Sequence, residues 1–268
     1  MFVNDSNVLS RNSEKASKWF YVLPVVAIVL HYVMMSLWYF AAGNVFSNVL
    51  HFSNEQIQEC SYLADILMYT VLIVIFFTIY KVTVGKNDVA KSTPFNLKDA
   101  GISIVAGLGV AGMICIWVSV LGLIPSLQKT IEMLSKGGGS GGLLGTILVS
   151  AVGAPIIEEI LFRGIVFKSL KKVSPVWVAI IVSSVLFGAY HMNIVQTIYA
   201  SCMGIVAAII YEKKNNLIFP ILVHITNNSL AVVQEFVPKS AVDAINAFSI
   251  FMILPLVYVM YTLFKRKA

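Results

Sequence analysis

From residue 19 onward the chain alternates between long apolar runs and short polar stretches. Eight runs can be read, at 19–42, 62–80, 101–124, 143–170, 175–190, 194–211, 217–233 and 248–264. Most have about 17–25 residues, enough for a helix to cross about 30 Å of hydrocarbon, the fourth being longer and the fifth shorter. The pattern predicts an all-α, polytopic membrane protein of about eight transmembrane helices. The polar tail 1–18 precedes a first run too long for the apolar part of a signal peptide, so that run reads as the first span.

Composition agrees with this pattern. Hydrophobic residues make up 58% of the 268 and charged residues only 12%, about half the charged fraction of ordinary soluble domains. The formal net charge of +6 does not point to nucleic acid, because the basic residues stand in the connections. With Arg163 and Lys168, near the end of the fourth run, counted with the connection that follows it, one set of alternate connections together with both tails holds 16 of the 19 Lys and Arg. By the positive-inside rule this predicts cytoplasmic N and C termini. The stretch Gly137–Gly142, with Ser140 among its glycines, reads as a flexible connector. No internal repeat divides the chain, so 1–268 is expected to form a single integral membrane domain, with residues 143–233 as its catalytic core. Cys60, Cys115 and Cys202 show neither a disulfide nor a zinc spacing.

Ionisable groups inside spans are expensive and mark function. Here they concentrate in three blocks: Glu158-Glu159 with Arg163, Phe187 with His191, and His224 with Asn228. Residues four apart share a helix face, so Glu159 faces with Arg163, Phe187 with His191, and His224 with Asn228. Glu158 lies about 100° around the helix from Glu159, so the two carboxylates cannot do the same job. Either Glu159 pairs with Arg163 while Glu158 faces a cavity, or the reverse. Asn227 is turned from Asn228 by the same angle and is expected to matter less. His31 and His51 read as interfacial residues. A carboxylate pair, two imidazoles and a carboxamide together suit acid/base chemistry beside an oxyanion binder. The alternatives are ion or proton transport and, for His224 with Asn228, a simple interhelical hydrogen bond.

The three blocks, in this order, resemble the signature of the CPBP family, the CAAX proteases and bacteriocin-processing (Abi) enzymes: EExxxR, FxxxH and HxxxN. The resemblance implies a glutamic intramembrane endopeptidase needing no metal or other cofactor. In it Glu158 is the general base that activates water, His191 assists proton transfer, and His224 and Asn228 stabilise the oxyanion, while Glu159 and Arg163 orient the first glutamate. Two other readings stand beside it. One is a zinc-dependent membrane protease with Glu158, His191 and His224 as ligands, although no HExxH is present. The other is a non-enzymatic membrane scaffold or immunity protein. The expected partners are the lipid bilayer and a membrane-associated peptide or protein substrate, and the expected location is the bacterial plasma membrane. One tension remains: Glu158 and Arg163 fall toward one end of the fourth run and His191 at the far end of the fifth. A fourth helix continuing to about Leu170 relieves it by setting Glu158 near mid-membrane.

Overall fold

The structure is a computed structural model describing residues 18–85, 92–135 and 140–265. The polar tail up to residue 17, residues 86–91 of the basic second connection and residues 136–139 lie outside the described residues. Regular structure among those described is helical, with no strand. Among the described residues nine helical elements follow in order: α1 Trp19–Val49, α2 Asn54–Thr83, α3 Leu97–Leu121, α4 Pro125–Ser135, α5 Gly142–Val173, α6 Val176–Tyr190, α7 Ile194–Lys214, α8 Ile218–Glu235 and α9 Lys239–Lys265. Each of the eight expected runs is one of these helices. Six of them are long and apolar enough to cross a membrane; α6 and α8 are not among the six. The pattern missed α4, whose 11 residues are too few for a span.

Short connections stop the helices with capping side chains, which satisfy the backbone groups a helix end leaves open. Ser53 and Gln56 form a reciprocal capping box at α2, Asn96 caps α3 and Asn193 caps α7. Asn215 closes α7 in the left-handed conformation, one that Asn tolerates. Pro175 follows α5 and drives the preceding Ser174 extended, separating α5 from α6.

Side-chain contacts fix how the helices alternate. At one end of the bundle Lys171 meets Glu212 at 2.6 Å, Lys214 meets Asp99 at 2.5 Å, Lys168 donates to Asn215, and Asn216 donates to the Thr93 carbonyl. Tyr21 reaches the Val173 carbonyl there. The starts of α1, α3 and α8 and the ends of α5 and α7 therefore share this end, with Lys168, Lys171 and Lys214 among them. At the opposite end Trp117 donates to the Val195 carbonyl, and Gln234 donates to Asn246, which also accepts from Cys115.

Small residues let the helices approach closely, the packing mode that works where the surrounding solvent is as apolar as the side chains. A Cβ on Gly188 of α6 would lie 2.2 Å from the Thr197 carbonyl of α7, and one on Gly107 of α3 would lie 2.5 Å from the Val223 carbonyl of α8. Val22, Val25, Val29, Val33 and Leu37 of α1 are all exposed, an apolar outer surface matched to lipid. The protein is an integral, multi-pass membrane protein.

The long fourth helix expected from the sequence is present, with Glu158 near its middle. It is not a uniform α-helix. π-helical stretches at Ile147–Gly153 and Ile160–Phe167 flank the short α-helical piece Ala154–Glu159 that carries both glutamates. Such π segments often mark functional sites.

Candidate active site

The two carboxylates take different environments. Glu159 is 0% exposed and Arg163 1%, with Nε and Oε2 3.0 Å apart. The other oxygen of Glu159, Oε1, lies 3.0 Å from His224 Nδ1. Oε2 makes its ion-pair contact with Arg163 without a hydrogen bond, and Glu159, fully buried, is not among the residues that line the cavity. Glu158, one residue earlier and around the helix, is 14% exposed at its side chain and lines a cavity of about 370 Å³. Of the two divisions open from the sequence, the geometry has Glu159 against Arg163 and Glu158 inward to the cavity.

A buried guanidinium needs more than one partner to offset its desolvation. Besides Glu159, Arg163 Nη2 approaches the Gly204 carbonyl at 3.4 Å, and its Cζ sits 4.6 Å over the Phe187 ring. That ring is fully buried and also packs edge-on against His191 and His224, with centroids 5.1 Å and 5.6 Å away. Phe187 thus touches the charge pair behind the cavity and both imidazoles in it. The sequence reading only gave it a face shared with His191.

His191 and His224 are held in definite orientations. His191 Nδ1 lies 3.0 Å from the Phe187 carbonyl. A carbonyl only accepts, so Nδ1 carries the hydrogen, and Nε2 of the neutral ring is left with its lone pair. His224 donates Nδ1–H to Glu159 and turns Nε2 toward Glu158 Oε2, 3.6 Å away. That distance is too long for a hydrogen bond but close enough for a proton to pass after a small shift or through one water.

The carboxamides of α8 complete the cavity wall. Asn228 donates to the Ser150 carbonyl at 3.0 Å and accepts from Asn227 at 3.1 Å. Ser150 has a free carbonyl for a local reason. In the π-helical stretch the Ala154 N–H bonds Val149, so the next N–H in register for Ser150 would be that of residue 155. Residue 155 is proline and has none. The second N–H of Asn228 stays available to a ligand.

Glu158, His191, His224, Asn227 and Asn228 all line the one cavity. Two expectations need correction. Asn227 belongs to the cavity wall because positions three apart on a helix, here 224 and 227, also share a face. His31 is not interfacial: it is 1% exposed, its ring packed against Phe76 of α2 and Tyr190 of α6. Among the described residues no three His, Cys, Asp or Glu side chains are grouped so as to hold a metal ion, which leaves the Glu158, His191 and His224 ligand set without geometric support.

A family match falls on this same region. Residues 140–230 match the family described as type II CAAX prenyl endopeptidase Rce1-like. Over 92 residues the chain is 33% identical to a Bacillus subtilis (strain 168) protein named "Putative membrane peptidase YdiL". That alignment covers 34% of this chain and 38% of the relative, so the chain spans well under half the length of the protein it matches. No solved structure matches.

Proposed function

Because the chain belongs, through residues 140–230, to the CPBP family of CAAX-type proteases, we propose that it is an intramembrane endopeptidase acting on membrane-associated peptides or proteins. The observation that carries this reading is the convergence of Glu158, His191, His224 and Asn228 on one cavity. Glu158 is the general base: it takes a proton from a water in the cavity as that water attacks the scissile carbonyl. His191, with Nε2 free to accept, takes that proton from the Glu158 carboxyl and passes it to the leaving amine as the C–N bond breaks, which restores the Glu158 carboxylate. The unengaged N–H of Asn228 and Nε2 of His224, when protonated, stabilise the tetrahedral oxyanion from fixed positions. The Arg163–Glu159 pair acts on His224, which it contacts directly, rather than on Glu158.

No metal takes part in this scheme. The basic end of the bundle faces the cytoplasm, and the membrane is the bacterial plasma membrane, in keeping with the Bacillus relative. The test is cleavage of a panel of membrane-anchored peptides by purified protein in liposomes, before and after exhaustive chelation. Cleavage that survives chelation supports the scheme. Loss on chelation with recovery on adding zinc would replace it with a metalloprotease.

A further inference from the structure

A second polar cluster lies behind the cavity, built by a helix outside residues 140–230. His31 of α1 has its Nδ1 2.9 Å from the Tyr190 hydroxyl, and its ring packs edge-on against Phe76 and Tyr190. Its Nε2 is buried with no hydrogen-bond partner among the described residues. The next residue, Tyr32, donates its hydroxyl to the Tyr190 backbone carbonyl, and the two tyrosine rings lie 4.6 Å apart. Tyr190 is therefore gripped at both its side chain and its backbone by consecutive residues of α1.

Tyr190 is the last residue of α6. Its carbonyl is one of those a helix C-terminus leaves without an intrahelical donor, and Tyr32 supplies that donor. His191 follows immediately, and Met192 then turns sharply with φ 55°. A histidine at a frayed helix end would swing with the last turn. Here the turn is fixed, and His191 keeps its Nδ1–H on the Phe187 carbonyl.

We propose that His31 and Tyr32 are positioning residues for the reaction: α1 clamps the end of α6 and so holds His191 Nε2 toward the cavity. This rests on the reading of the cavity as an endopeptidase site. In the clamp His31 Nδ1 is hydrogen-bonded to the Tyr190 hydroxyl, which also reaches Met35 Sδ. Asn can present an oxygen near that position, whereas Leu cannot.

The test compares His31→Asn, His31→Leu and Tyr32→Phe in the full-length protein in detergent. Two readouts are used: steady-state cleavage, and the ring-nitrogen NMR spectrum of His191 in protein labelled at histidine. His31→Leu and Tyr32→Phe should lower kcat by about 10- to 100-fold, the order a small misplacement of a reacting group costs, with KM nearly unchanged. His31→Asn should recover most of the rate. The His191 spectrum should change from one tautomer with the proton on Nδ1 to a mixture in the two impaired variants. Wild-type kcat in folded Tyr32→Phe, equal impairment of His31→Asn and His31→Leu, or a His191 spectrum that none of the substitutions alters would each overturn the clamp. If the wild-type protein cleaves nothing, the endopeptidase reading fails, and the nitrogen spectrum, which needs no substrate, still decides the clamp.

Discussion

Glu158 and Glu159 are chemically identical neighbours, yet the bundle separates them by what each oxygen touches. Glu159 holds His224 with one oxygen and Arg163 with the other, at zero exposure. Glu159→Gln removes the counter-charge of a guanidinium that has no route to water. Breaking a buried pair in this way costs about 3–5 kcal/mol. The variant should lose yield and thermal stability on size-exclusion chromatography as well as activity, and a folded, wild-type-stable Glu159→Gln would contradict the assignment. The i,i+4 relations made the Glu159–Arg163 and His224–Asn228 pairings readable from sequence. The same arithmetic misjudged Asn227, because comparing it with Asn228 alone hid the face it shares with His224. Nothing in the local sequence separates a buried His31 from an interfacial one; that depends on which neighbour α1 packs against.

Within α5, the position of Asn228 depends on a defect in the helix. The π-helical turn and Pro155 together free the Ser150 carbonyl, and Asn228 is anchored to it. Pro155→Ala restores an N–H. The stretch can then satisfy Ser150 itself, leaving the Asn228 carboxamide unanchored. The expected outcome is unchanged or higher thermal stability with a rate reduced by about 10-fold or more, since an oxyanion donor acts only from a fixed position. Wild-type turnover in this variant would mean that the Ser150 contact is incidental. Apolar run length made the existence of the helices legible, but α2 and α9 begin eight and nine residues before their runs, because their first turns carry polar residues that apolar run length does not register. The π segments were not legible, because a local change of hydrogen-bond register leaves the apolar run that marks the helix unchanged. The short amphipathic α4 escaped for a related reason, its apolar residues being too few to register as a span.

Taken as a bundle, the protein gathers the basic ends of α5 and α7 with the starts of α1, α3 and α8. This agrees with the alternation of Lys and Arg along the chain, and the sequence pattern made it legible because charge in short connections depends on orientation alone. If these ends face the cytoplasm, a cysteine introduced at Lys172 will label only from the inside, and one at Met192 only from the outside. Labelling of Lys172→Cys from outside would invert the topology. The central claim, that Glu158 activates water for peptide-bond hydrolysis, is tested most directly by turnover per folded molecule. Wild type and Glu158→Gln are reconstituted in liposomes with a membrane-anchored peptide that the wild type cleaves. The account predicts a folded variant slower by about 10²–10⁴-fold, the usual cost of losing a general base. A folded Glu158→Gln that cleaves at the wild-type rate would contradict it.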